Sequence, residues 1–197
     1  MNRKHLVLPA VLVVAAAVVA TVHFWPTELK EMREQNLCLG MLTEQTAGLI
    51  QDGKGGAVVV EESVTGSSGS EAQAADPIFS TICFVHRKNA DDKSSARLQY
   101  TLDVRPTDTL NDRPKGATPV KGGLMGWVGQ RQSEVQLPES CAKEMKRPDA
   151  RHITVTLKIS PVTLVGRDWD YASLMKNSRT VILEAGENLT KQYDCAD

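Results

Sequence analysis

Between Arg151 and Leu164 the chain reads RHITVTLKISPVTL. Ile153, Val155, Leu157 and Ile159 alternate with Thr154, Thr156, Lys158 and Ser160. A period of two puts the two sets on opposite faces of a β-strand, one on a core and one in water. Pro161 cannot donate to a strand ladder, so the run is expected to meet a bulge or a sheet edge there. Arg97 to Arg105 repeats the pattern, with Leu98, Tyr100, Leu102 and Val104 inward and Gln99, Thr101, Asp103 and Arg105 outward. Two such strands point to a sheet that is mostly antiparallel.

The flanking segments extend this sheet. Ser80 to Arg87 places Ile82 and Phe84 on one face and Cys83 and Val85 on the other, and the polar turn after it predicts a hairpin to Arg97. Ala57 to Val60 is a short strand candidate, and the Gly/Ser/Ala-rich Ser63 to Asp76 is expected to be a mobile loop. Thr43 suits the N-cap of a helix running to Ile50, with Leu42 packing on Ala47. Pro106 to Gly123 reads as a long irregular connection and Leu124 to Leu137 as one strand with Gly126 and Gly129 at its start. Trp127 and Val128 are adjacent, so either one faces outward or the edge is covered. Asp170 to Tyr193 carries Tyr171, Leu174, Met175, Ile182, Ala185, Leu189 and Tyr193 at spacings of three and four, the stripe of a helix lying on the sheet. Asp168 or Asp170 caps it, and Gly186 is a weak point costing about 1 kcal/mol against alanine. The expected class is α+β: a mostly antiparallel sheet backed by a C-terminal helix.

At the other end, Leu6 to Trp25 contains no charged residue and follows Arg3 and Lys4. Twenty helical residues cover roughly 30 Å, the hydrocarbon thickness of a bilayer. Phe24 and Trp25 before Pro26 resemble an interfacial belt. Residues 1–26 therefore read as an N-terminal signal-anchor, one transmembrane helix with its N-terminus in the cytoplasm. The alternative is secretion after cleavage at Ala20, with Val18 and Ala20 as the small residues. Residues 27–37 form a polar stalk and 38–197 an extracytoplasmic α+β domain. The localisation expected is the cell membrane, single-pass.

All four cysteines, Cys38, Cys83, Cys141 and Cys195, lie beyond the apolar segment. An even number on the exported side implies two disulfides, and no C-x-x-C spacing suggests zinc or redox chemistry. Three pairings are open. Cys38–Cys83 with Cys141–Cys195 is favoured because each bond then closes one half of the domain. Lys and Arg total 23 against 24 Asp and Glu, a net charge of −1, with no basic stripe. That balance argues against nucleic acid as a partner and leaves the N-terminal helix as the contact with the membrane.

Chemistry-bearing motifs are sparse. Ser173-x-x-Lys176 and Ser140-x-x-Lys143 fit the S-x-x-K of penicillin-binding enzymes, but the K-T-G companion is missing. His86 and His152 lack carboxylates at metal-ligand spacing. Asp108, Asp112, Asp168 and Asp170 do not complete a calcium loop, and Gly53 to Gly56 is not a phosphate loop. Asn188-Leu189-Thr190 matches a glycosylation acceptor inside the expected helix. No catalytic residue, metal or cofactor is assigned. Trp127, Arg131, Arg167 and Trp169, beside the long connection, form the candidate ligand groove.

Cys38-Leu39-Gly40-Met41-Leu42 with Thr43-Glu44, then Leu137-Pro138-Glu139-Ser140-Cys141, then a closing helix ending in Cys195, resembles a group of uncharacterised actinobacterial membrane-anchored secreted proteins. Leu39 stands where that group often carries tryptophan. The resemblance implies no activity. More loosely, the layout is similar to small cell-envelope lipoproteins whose helix-backed sheets serve in binding or assembly. The function expected is a non-catalytic extracytoplasmic cell-envelope binding or assembly module on a single-pass anchor, with an envelope protein or wall component as partner. The alternative is an exported hydrolase acting on cell-wall components. A hydrolase requires ionisable side chains converging in a deep pocket, a binding module a groove or apolar patch.

Overall fold

The computed structural model describes residues 36–65, 80–89, 95–121, 123–165 and 170–195. The apolar segment, residues 27–35 of the expected stalk and most of the Gly/Ser-rich stretch lie outside the described residues, while Leu37, expected at the end of the stalk, pairs with Leu42 in the domain; no described helix is long and apolar enough to cross a membrane. The chain forms an α+β domain around one seven-stranded antiparallel sheet. Its strands are β1 (Val58–Thr65), β2 (Ser80–Lys88), β3 (Ala96–Thr107), β4 (Thr118–Pro119), β5 (Met125–Val128), β6 (Gln132–Gln136) and β7 (His152–Ile159). Their order across the sheet is β1-β2-β3-β7-β6-β5-β4. The helices are α1 (Glu44–Ala47), α2 (Glu139–Glu144), α3 (Pro161–Leu164) and α4 (Tyr171–Gln192).

β7 is thus the central strand, added last between two consecutive antiparallel units. Its register brings Leu157 opposite Leu102 and Val155 opposite both Val104 and Val135. These residues, with Cys83, Val85, Tyr100 and Ile153, are buried on the face that α4 covers. Alternation identified that face correctly. It failed on the other face: Thr154, Thr156, Gln99 and Asp103 are buried as well, not in water. A strand with neighbours on both sides shares its polar groups sideways, as the Thr107 and Thr154 hydroxyls do at 2.5 Å. The connection after β3 covers part of this surface, where Asn111 donates its backbone N–H at 2.9 Å and its side-chain amide at 2.6 Å to the fully buried Glu134 carboxylate. Gln99 accepts from the Asp52 amide at 2.7 Å.

Several expected boundaries change. Leu124 to Leu137 is a hairpin and not one strand: Gly129 N–H donates to Gln132 O at 3.0 Å and closes the turn between β5 and β6. Gly126 permits the pairing, because a Cβ there would lie 2.8 Å from Val135 Cα and closer still to Glu134 O. β1 runs on through Ser63 to Thr65, into the stretch expected to be loop. α1 is a single turn, capped by Thr43, whose side chain accepts from Thr46 N–H at 3.3 Å, and it ends at Gly48 before reaching Ile50. α2 was not expected after Leu137. Pro161 begins α3 at its first position, where a missing N–H is harmless, so neither bulge nor edge is needed.

The long helix α4 is capped by Asp170, whose carboxylate accepts from Ala172 N–H at 3.0 Å. Leu174, Ile182, Ala185 and Leu189 are buried as the stripe predicts, while Tyr171 is 57 % exposed at the helix start. Gly186 is where α4 comes nearest the β5–β6 unit: an added Cβ would lie 2.6 Å from Leu124 Cδ1 and 3.4 Å from Val135 Cγ2. A second, polar stripe on α4 holds the N-terminal segment. Asn177 donates to Leu49 O (2.9 Å), Asn188 to Met41 O (3.0 Å) and Gln192 to Leu39 O (3.2 Å). Glu184 accepts from Thr43 N–H (2.8 Å), Thr43 Oγ1 (3.0 Å) and Thr46 Oγ1 (2.5 Å). Both disulfides take the favoured pairing, Cys38–Cys83 and Cys141–Cys195, with Cα–Cα separations of 5.4 and 4.8 Å. The first ties the N-terminal segment to β2, the second ties α2 to the end of α4.

Candidate functional site

A cleft of about 300 Å³ opens where the β5–β6 turn, the end of β7, α3 and the start of α4 meet. Its lining is Gln130, Arg131, Ile159, Pro161, Leu164, Val165 and Tyr171. Each wall is fixed by backbone chemistry. Ile159 N–H donates to Arg131 O at 2.9 Å, which joins the turn to the central strand. Thr163 is 1 % exposed, and its hydroxyl donates to Gln99 O at 2.9 Å, pinning α3 against β3. Thr163 is turned inward, while Val162 before it and Val165, the extended residue that ends α3, are 61 % and 75 % exposed. Tyr171 follows the Asp170 cap and completes an apolar rim.

The residues read from sequence as the ligand groove do not all meet. Arg131 lines the cleft. Trp127 is 3 % exposed on the sheet face under the long connection, and its indole N–H donates to Asn111 O at 3.2 Å. Trp127 and Val128 are both buried, so the edge is covered. Arg167 and Trp169 lie outside the described residues. Val165 and Tyr171, which also line the cleft, and the exposed Val162 on α3 were missed. The signal for them was the apolar excess of Pro161-Val-Thr-Leu-Val165, which outlasts the alternation of β7.

The other chemistry-bearing residues are held in structural roles. Ser173 donates to Asp170 Oδ2 at 2.5 Å, and Ser140 donates to Cys195 O at 2.8 Å. Hydrogen bonds from Ser173 and Ala172 keep the Asp170 carboxyl below the usual carboxylate range. His152 Nε2 lies 3.8 Å from Glu139 Oε1, and the His86 ring sits 6.4 Å from that of Phe84. Asn188 is engaged with Met41. Among the described residues no group of three or more His, Cys, Asp or Glu is placed to hold a metal. A wider, shallower depression of about 530 Å³ lies beside α1, but its guanidinium is committed: Arg87 donates to Gly56 O at 2.6 Å and to Gly48 O at 2.8 Å.

The two largest electrostatic perturbations are structural too. Asp52, in the turn after α1, meets Arg97 Nε at 2.5 Å and is nearly buried. The Arg97 hydrogen bond overcomes the penalty of burial and holds the Asp52 carboxyl at about 2. Tyr100, buried under α1 with its hydroxyl donating to Ala47 O at 3.0 Å, has its phenol pushed far above the ordinary range by burial.

Comparison with known proteins finds no family model, no curated protein and no solved structure that matches this chain.

Proposed function

We propose that the chain is a non-catalytic binding or assembly module of the cell envelope, held at the membrane by residues 1–26 with residues 38–197 outside the cytoplasm. The observation that carries this reading is the cleft with its rigid walls and exposed rim. Val162, Val165 and Tyr171 present apolar area that a free-standing domain gains nothing by exposing, while α3 is nailed in place behind them. The two disulfides accord with an oxidising compartment. Among the described residues the cleft lining contributes one guanidinium and one phenol, and no carboxylate, thiol or imidazole, which favours recognition over hydrolysis of wall components. The likeness of 38–44 and 137–141 to uncharacterised actinobacterial membrane-anchored proteins belongs to the same proposal.

The test is in the native envelope. A photo-crosslinking residue at Val165 is expected to give an adduct of defined mass with a molecule of the envelope. The same residue at Asp149, whose side chain is 67 % exposed on the α2–β7 turn, is expected to give none. Adducts at both positions, or at neither, would overturn the binding reading. Recovery of the full-length chain in the soluble fraction would overturn the anchor.

A further inference from the structure

We propose that the cleft binds a single-chain amphiphile with an anionic head group. This rests on the reading of the cleft as a binding site and names what fills it. The apolar part of the lining is Ile159, Leu164 and Val165. The same lining carries three polar groups, the Arg131 guanidinium, the Gln130 amide and the Tyr171 hydroxyl, none of which takes a side-chain hydrogen bond or ion pair from the described residues. Most other described arginines are spent on protein partners: Arg87 on two carbonyls, Arg97 on Asp52, Arg147 on Asp149, Arg179 on Thr118 and Pro119. Arg131 is exposed and has no side-chain partner among the described residues, and it lines the cleft together with Ile159, Leu164 and Val165.

That arrangement has a chemical complement. A guanidinium offers a planar fork of donors that carboxylate and phosphate oxygens satisfy in pairs. Partial desolvation by the neighbouring apolar walls strengthens the contact relative to water. The Tyr171 hydroxyl and Gln130 amide add donors in the same lining. A neutral ligand of the same shape leaves the guanidinium to water, and a cationic one is repelled. The cleft volume lies at the low end for small-molecule sites, which suits one alkyl chain and not a folded partner.

The experiment uses the full chain in phosphatidylcholine nanodiscs with three diazirine probes sharing a twelve-carbon chain: the carboxylate, the phosphate monoester and the uncharged methyl ester. The expected result is adducts on the tryptic peptide of residues 159–167 with one or both anions. Preference over the methyl ester should be at least about fivefold, as a charge-assisted contact gives. The two anionic arms show whether a fatty acid or an alkyl phosphate fits better. Arg131→Gln, a change at an exposed turn residue, should abolish the preference while leaving the melting temperature unchanged. Equal labelling by anion and ester, a preference that survives Arg131→Gln, or adducts on peptides that hold no lining residue of the cleft would overturn the proposal. If the Val165 crosslinker instead captures a protein while the anions leave the cleft unlabelled, the amphiphile is wrong and the binding module stands.

Discussion

At the residue scale, the Asp52–Arg97 pair makes a pH-dependent contribution whose sign is fixed. Asp52 titrates at about 2 in the fold against 3.8 free, so its ionised form is favoured by folding. The stabilisation is therefore present above about pH 4 and is lost as the pH falls toward 2. The shift is worth about 2 kcal/mol. Asp52→Asn should cost about that much at pH 7, measured by urea unfolding. The gap between wild type and variant should close between pH 4 and pH 2. A gap that stays constant over that range would mean that the charge of Asp52 contributes nothing. In the sequence Asp52 stands only before the Gly-rich run Gly53 to Gly56. Its partner lies on β3, 45 residues away, and no local pattern connects an aspartate in a Gly-rich turn to an arginine at a strand start. The same limit applied to Trp127. Its position beside a long loop was legible, but the Asn111 carbonyl that ties the indole down was not.

At the element scale, what was legible depended on repetition. β3, β7 and α4 carry periodic patterns long enough to fix their core faces, and the structure keeps those faces. The β5–β6 hairpin was hidden because its turn has no paired turn residues of the usual kind. Its first strand contains a glycine chosen for backbone approach, not for a bend. Gly126→Ala should therefore break β5–β6 pairing and cost more than about 3 kcal/mol, since backbone atoms on both sides of the clash cannot yield. Gly186 differs. The atom nearest its missing Cβ is the end of the half-buried Leu124 side chain, which can rotate away. Gly186→Ala should then be within about 0.5 kcal/mol of neutral, helix propensity offsetting the displaced Leu124, whereas Gly186→Val should cost about 2 kcal/mol. Thermal melts of the three variants test the ranking. The polar stripe of α4 was also missed, although Asn177, Glu184, Asn188 and Gln192 recur at helical spacing. An apolar stripe announces a buried face by its composition, whereas a polar one looks the same whether it faces water or a partner. Glu184→Ala removes three hydrogen bonds to Thr43 and Thr46 and should cost about 1–2 kcal/mol, with faster hydrogen exchange at Thr43.

At the scale of the whole molecule, the two disulfides close separate loops, of sequence separation 45 and 54, and on chain entropy alone each is worth about 4 kcal/mol. The pairing was legible because only this one closes a loop within each half. What sequence could not supply is that the halves are not independent. α4 is held at its end by Cys195, and its last three turns in turn hold Leu39, Met41 and Thr43, the residues that flank Cys38. Cutting Cys141–Cys195 should loosen the end of α4 and, through Gln192 and Asn188, the turn around Cys38. The Leu42 amide, which donates to Leu37 O at 3.0 Å, reports on that turn. In the Cys141→Ala/Cys195→Ala variant with Cys38–Cys83 intact, its exchange protection should fall by more than that of Leu102 in the β2–β3–β7 ladder. If the two staples stabilise separate units, Leu42 will lose no more protection than the sheet does. The coupling runs through side chains of one helix, so Gln192→Ala together with Asn188→Ala should reproduce the loss at Leu42 with both disulfides still formed.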